Sequence, residues 1–349
     1  MSAIARAALA ALLFGAAAPA SKLLLGRLEP FLLAGLLYLG AACAMAPFFL
    51  RERLRYGSRK LDSISLWRLT AAIVAGGIVG PVLLLFGLRL SSSGTVSLLL
   101  NTELAATAML GVWLFGDQLT RRGWLGVGGV MLAGGLVSSA SGWPGLASSL
   151  LVFAACACWG LDNHWTAAID GITPQSSTFW KGLIAGAINL TVAFWTGSIE
   201  EASPQVIGMA LGVGGLSYGA SIALYIGAAQ QLGATRAQAV FASAPFLGAA
   251  IGFGLLGEPI AALHILGAAL LALSLVLLLS SAHEHEHEHS PTEHIHAHRH
   301  DDGHHLHAHA GLAGARHTHL HRHDALRHTH PHWPDVHHRH AHRRDSKTP

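Results

Sequence analysis

The chain has 349 residues, 52% hydrophobic and 12% charged, with a mean hydropathy of +0.44. Too few charged residues remain to cover a soluble protein of this size, so most of the chain belongs in a bilayer. No long basic run interleaved with aromatics occurs, which excludes nucleic-acid binding. The net charge of +3 averages two unlike regions: residues 1–281 hold 14 Lys/Arg and 10 Asp/Glu, the last 68 hold 8 and 9.

A spanning helix needs about 20 mostly apolar residues. Such segments recur at 4–25, 31–50, 69–88, 93–115, 123–140, 147–168, 177–197, 206–227, 237–256 and 261–281. The first imitates a cleavable leader, with Arg6 ahead of an apolar run and Ala18-Pro19-Ala20 behind it. A retained helix is the better reading, because Phe14-Gly15 with Glu29-Pro30 recurs as Trp159-Gly160 with Thr173-Pro174. Small-residue spacings such as Gly35 to Gly40 and Gly126 to Gly134 predict close helix packing. Cys43, Cys156 and Cys158 lie inside apolar stretches and read as small buried hydrophobes.

The recurrence extends. Residues 91–139 lie on 232–280 without a gap at an offset of 141, with Gly111 on Gly252, Gly116 on Gly257, Asp117 on Glu258 and Gly126 on Gly267. Two halves of five helices follow. Because five is odd, the second half enters the membrane from the opposite side, so the fold class is an all-α membrane protein built as a ten-helix inverted repeat. The divisions are 1–140, 147–281 and a tail, 282–349.

Lys/Arg placement orients the bundle. With the N-terminus cytoplasmic, the inner segments hold Arg6, Arg51, Arg53, Arg55, Arg59, Lys60, Arg68, Arg121, Arg122, Lys181 and Arg236, against Lys22, Arg27 and Arg89 outside. That eleven-to-three bias predicts a multi-pass protein of the inner (plasma) membrane with both termini cytoplasmic.

Phe14-Gly15 and Trp159-Gly160, with Leu114-Phe115-Gly116-Asp117-Gln118-Leu119 and Leu255-Leu256-Gly257-Glu258-Pro259-Ile260, resemble the drug/metabolite transporter superfamily, specifically its proteins with two EamA-type domains. The resemblance covers roughly residues 5–281 and none of the tail. It implies ten helices, a central cavity between the halves, and carriage of a small solute, often by proton coupling or exchange. The superfamily moves amino acids, amines, sugars and nucleotide sugars, so the resemblance names no solute.

Ionisable groups inside a membrane are costly, so those at mid-helix are candidate solute sites. Glu103, with Asn101 and Thr102 beside it, sits near the middle of the fourth span; it reads as a cavity carboxylate or as a packing partner for Lys22. Trp159, Asp162 and Asn163 share one face of the sixth span, with His164 on its edge, where they could take a cation or relay protons. Lys22 is a further candidate, with snorkelling at a helix end as the competing reading. Asp117 and Glu258 read as helix-exit residues suited to capping or gating, and His264 as a packed residue.

Residues 283–342 hold 23 of the 25 histidines, mostly as His-x-His. His283, His285, His287, His289, His294, His296, His298, His300, His304, His305, His307 and His309 form the first clusters. Alternating imidazoles suit multidentate capture of Ni, Co, Zn or Cu, and interspersed acids add oxygen ligands. Without apolar periodicity the tail is expected to be disordered in the absence of metal. No bound cofactor is required, and the expected partners are the bilayer and a small solute or metal cation.

Three functions fit these features. One is a secondary transporter that moves, or is regulated by, a transition metal. Another is an exporter of a small metabolite, amine or amino acid with a regulatory tail; a third is a membrane-anchored metal store or sensor. No Walker A loop marks an ATP-driven pump, and no nucleophile, base and acid converge as an enzyme would need.

Overall fold

The protein is described by a computed structural model covering residues 2–56, 61–115, 119–140, 142–167, 169, 173–197, 202–232 and 240–279, and in the tail 283–289, 292–298, 317–323 and 326–332. Among these residues ten helical rods follow in order: α1 (Ala3–Leu24), α2 (Pro30–Tyr56), α3 (Ser63–Leu90), α4 (Ser93–Phe115), α5 (Arg121–Ser139), α6 (Gly142–Ala167), α7 (Pro174–Trp195), α8 (204–232), α9 (Ala244–Leu255) and α10 (Ala262–Leu279). Six of them, α1 to α4, α6 and α8, are long and apolar enough to cross a membrane by length and composition alone. Trp67, Trp113 and Trp124 are exposed at one end of the rods and Trp143 and Trp195 at the other. Those are the levels at which amphipathic rings settle at a bilayer's two surfaces.

Helix ends differ from the sequence reading where polar residues prolong a rod. The second span continues through Arg51, Glu52 and Arg53, because charged residues with good helix propensity extend it past the apolar stretch. The third starts at Ser63, not 69. The Asp62 carboxylate accepts from the backbone N–H of Ile64 (3.2 Å) and Ser65 (3.4 Å), fixing the first turn.

The helix contacts carry the two-fold relation of an inverted repeat. Exchanging each rod for its equivalent five places along maps α3 against α6 onto α8 against α1, α4 against α6 onto α9 against α1, and α2 against α8 onto α7 against α3. The pairs α2 with α7, α4 with α9 and α5 with α10 map onto themselves. Each half thus lends its first helix to the other. The relation holds at residue level: a Cβ on Gly160 would meet Thr107 of α4 at 3.2 Å, and one on Gly15 would meet Gly248, equivalent to Thr107, at 3.3 Å.

The glycine spacings act as expected. A Cβ on Gly35 would fall 2.7 Å from Leu190 of α7, and one on Gly126 2.8 Å from the Leu278 backbone of α10. On Gly40 it would overlap the Leu211 carbonyl of α8. Gly40→Leu is therefore expected to lower the amount of folded protein extracted in mild detergent, whereas Gly128→Leu, where nothing lies within 4 Å of the added Cβ, leaves it unchanged.

Four stretches loosen into π-helix, Ile73–Val79 in α3, Gly111–Phe115 in α4, Gly214–Ala220 in α8 and Ile251–Leu255 in α9, at matching places in the two halves. α4 is also broken by a turn at Leu100–Asn101, and a turn at Ala242–Ser243 precedes α9. Discontinuous rods at corresponding places are where transporters of this construction bind their solutes.

In the tail the described backbone forms two antiparallel ladders, β1 (His283–His289) with β4 (Leu326–His332) and β2 (Thr292–His298) with β3 (His317–His323). The His-x-His alternation has the two-residue period of a strand. These strands stand where the lack of apolar periodicity predicts a disordered tail, and isolated two-stranded ladders are marginal in water.

Candidate functional site

Pro81 organises the centre. Lacking an N–H, it leaves unpaired the carbonyl of Gly77 in an α register and of Gly76 in the π register that this stretch adopts. Both carbonyls find side chains from other helices. The Tyr38 hydroxyl of α2 (2.5 Å) and the Trp159 indole N–H of α6 (3.0 Å) donate to Gly76, and the Asn189 amide of α7 donates to Gly77 at 3.4 Å. Trp159 thus fixes α3 to α6; its equivalent by sequence, Phe14, packs edge-on against Tyr218 in the matching π stretch of α8, with ring centroids 6.1 Å apart.

The two candidate carboxylates lie beside this knot in contrasting states. Asp162 is half of a buried ion pair: Lys181 of α7 donates to its oxygens at 2.5 and 2.7 Å, and the Thr166 hydroxyl donates at 2.8 Å. Glu103 accepts one hydrogen bond, from the Asn163 amide at 3.0 Å, and among the described residues no cation pairs with it. It interacts electrostatically with Asp162, Tyr38 and Tyr225. The rings nearby are linked, Tyr38 to Tyr218 at 5.7 Å, Phe14 to Phe241 at 5.3 Å and Tyr225 to Phe241 at 4.8 Å. Asn101 is buried at the break of α4; its amide N–H donates to Leu98 and its amide oxygen has no partner among the described residues.

The remaining candidates are placed otherwise. His164 donates from Nδ1 to the Gly160 carbonyl at 2.7 Å and stacks on Phe115, centroids 4.4 Å apart. Lys22 lies away from the centre at the end of α3, where its ammonium donates to the carbonyls of Leu88 (2.5 Å) and Ser91 (2.8 Å) and stops a helix. It is no partner for Glu103. Lys22→Met is accordingly expected to cost about 1–3 kcal/mol of stability through two orphaned carbonyls, with solute transport retained, as thermal unfolding in detergent and vesicle uptake would show.

His264 is buried as expected; it accepts from the Ala261 N–H (2.9 Å), so its other nitrogen donates to the Thr95 hydroxyl (2.9 Å). Cys156 is buried and Cys158 half-buried, but Cys43 is exposed on α2, so a small hydrophobe at a lipid-side position replaces the buried role expected for it. Asp117, Arg236 and the histidines His300, His304, His305, His307 and His309 lie outside the described residues. In the tail ladders the backbone sets His283, His285 and His287 opposite His332, His330 and His328, and His294, His296 and His298 opposite His321, His319 and His317. His289 stands opposite Leu326. Among the described residues no three His, Cys, Asp or Glu side chains converge as a metal site.

Lys181 was legible only as one of the eleven inner charges. It belongs instead to the interior of α7, so its pairing with Asp162 removes it from the topology argument and leaves ten against three. A lone lysine two turns into an apolar span was the signal that it needed a buried carboxylate. Tyr38, Asn189, Tyr218 and Tyr225 gave no signal in sequence, as isolated polar aromatics or amides in spans are common packing residues.

The sequence signature of the EamA-like transporter family matches residues 1–139 and again 146–280. The chain belongs to the EamA-like transporter family. It is similar to an uncharacterized transporter of Methanothermobacter thermautotrophicus (strain Delta H), 26% identical over 271 residues, spanning 72% of this chain and 78% of that one. A solved structure titled only "Crystal structure of protein" matches with a TM-score of 0.53 at 14% identity, over 80% of this chain and 98% of the other, which shows a shared fold. This EamA-type protein is thus a multi-pass membrane transporter, with the bilayer and a small solute as its partners.

Proposed function

We propose that this EamA-type protein is a secondary transporter of a small organic cation, an amine or an amino acid, bound between its two halves with Glu103 as the charge-bearing residue. The observation that carries this reading is the unlike state of the two carboxylates, Asp162 buried and ion-paired, Glu103 half-buried and without a cation among the described residues. Asp162 already has its cation in Lys181, whereas Glu103 has a single amide donor and a border of aromatic rings. A carboxylate inside a membrane bundle without a counter-ion has two ways to be neutralised, a proton or a cationic solute, and the choice between them couples the two. The rings supply apolar and cation–π contacts to the body of an ammonium solute.

The arrangement favours an organic cation over a metal as cargo. With Asp162 engaged by Lys181, Glu103 brings one hard oxygen ligand to the centre, where Ni, Co, Zn or Cu takes several. The histidine tail then acts in metal capture and regulation, on the cytoplasmic side if the ten-to-three excess of Lys/Arg marks the inner surface of a plasma membrane.

The test is a screen in vesicles holding a trapped pH dye, with the full chain, residues 1–281 and Glu103→Gln, against a panel of amines, amino acids and Ni, Co, Zn and Cu salts. An organic cation that moves protons through the full chain and residues 1–281, and not through Glu103→Gln, supports the reading; a response confined to a metal overturns it. The tail is tested apart: the full chain is expected to bind several equivalents of Ni or Zn in calorimetry, and residues 1–281 to lose that binding.

A further inference from the structure

The exit sequence Leu255-Leu256-Gly257-Glu258 is unused by the central site, yet its glutamate reaches residues 165 and 164 positions away in the chain. Gly257 turns the chain with φ +66°, a conformation that glycine adopts without steric cost. The turn delivers the Glu258 carboxylate to the start of α4, where it accepts from the backbone N–H of Ser93 at 2.8 Å and of Gly94 at 2.7 Å. A second tie runs beside it, His264 to Thr95 at 2.9 Å and Thr95 to Ser92 at 2.7 Å. Glu258 and His264 belong to one half of the repeat, and Ser93, Gly94 and Thr95 to the other.

Beside the ties the same two rods approach closely at glycines, a Cβ on Gly252 falling 2.6 Å from the Gly94 backbone nitrogen. A Cβ on Gly94 would lie 2.7 Å from the Phe253 ring, and one on Gly248 2.6 Å from both the Gly15 carbonyl and the Ser97 hydroxyl. α1, α4 and α9 are therefore drawn together at the end of the bundle remote from the N-terminus. At the other end of the central cluster Asn163, the donor to Glu103, is exposed four residues before α6 ends. Asn163 thus sets the Glu103 site toward the N-terminal side, while the α4–α9 contacts close the far side.

We propose that Glu258 is the far-side gate residue of this transporter: its carboxylate clasps the start of α4 while the site faces the N-terminal side, and must release Ser93 and Gly94 for the site to open outward. The proposal rests on the reading of Glu103 as the solute site only for what passes the gate. The groups facing the clasp are Lys22, which interacts electrostatically with Glu258, His264, and Arg89, itself paired with Glu29 at 2.7 Å. A surface pocket of about 550 Å³, lined by Lys22, Arg89, Glu258 and His264 among others, admits water and reagents up to the clasp.

The experiment asks whether Ser97, buried under the clasp, becomes accessible. Ser97→Cys is made in the full chain with Cys43, Cys156 and Cys158 replaced by alanine, and labelled by a membrane-impermeant maleimide applied from the far side. With Glu258 intact, labelling is expected to be slow. Glu258→Gln, whose amide NH2 cannot accept where the second carboxylate oxygen did, is expected to speed it about tenfold or more, and Thr95→Val, which removes only the neutral tie, by a smaller factor. Equal rates in the parent and Glu258→Gln overturn the proposal, as does fast labelling with Glu258 intact. If Glu258→Gln does not reach the membrane, a Thr95→Val rate equal to the parent's overturns it instead. No solute enters this readout, so a failed solute screen with a Glu258-dependent label rate rejects the solute site and keeps the gate.

Discussion

Replacing Glu103 by glutamine is expected to abolish solute-driven proton movement and to weaken binding of the cationic solute by about 30-fold or more. The magnitude follows from the setting: removing one partner of a desolvated charge pair costs about 2–5 kcal/mol, and about 1.4 kcal/mol is a factor of ten. Glutamine keeps the shape and can still accept from the Asn163 amide, whose distance to Glu103 is 3.0 Å, so the bundle is expected to fold as before. The sign with pH is fixed too. A cation competes with a proton for the same carboxylate, so apparent affinity in the parent falls as pH drops, while in Glu103→Gln it loses that pH dependence. Titrating solute binding at several pH values in detergent or vesicles measures both quantities. Undiminished binding with an unchanged pH dependence in Glu103→Gln would show that the charge-bearing site is elsewhere.

Asn163→Ala probes the same carboxylate more gently. It removes the one hydrogen bond to Glu103 and is expected to cost binding a few-fold, since interhelical hydrogen bonds in membranes average about 0.6 kcal/mol.

Much of this arrangement is legible in the sequence. The spans and the repeat were legible because apolar length and glycine spacing obey rules local to one helix, and the offset of 141 found in residues 91–139 also relates the π stretches starting at Ile73 and Gly214. Glu103, Asp162 and Asn163 were legible as costly polar groups in apolar surroundings. What could not be read was their pairing. Whether Asp162 or Glu103 keeps a free charge depends on Lys181, 19 residues from Asp162 along the chain and on the next helix. Trp159 looked like part of a binding face, but the need it meets is created 83 residues away, where Pro81 leaves the Gly76 carbonyl open. Lys22 showed the reverse error. It reads in sequence as a candidate and a partner for Glu103, with a helix-end position as the competing reading, and its ammonium instead ends α3.

The ion pair supplies a second large expected effect, on stability first and on selectivity through it. Lys181→Met leaves the Asp162 carboxylate buried with only the Thr166 hydroxyl, and breaking such a pair from one side costs about 3–5 kcal/mol. Asp162→Asn leaves an uncompensated ammonium at a similar cost. The double variant Asp162→Asn with Lys181→Met removes both charges and is expected to recover most of the loss, because the penalty of each single change is the desolvated charge left behind. Unfolding of the four proteins in mixed micelles measures the coupling. Transport in the same set separates structure from charge. If the pair only positions α6 and α7, the double variant carries solute as the parent does, with Glu103 still supplying the one free negative charge. Lys181→Met, where it folds, places two carboxylates beside the solute and shifts preference toward dications, since charge complementarity across a desolvated site sets selectivity more strongly than affinity. A double variant as unstable as either single change would mean that Asp162 and Lys181 hold the bundle by packing and not by charge.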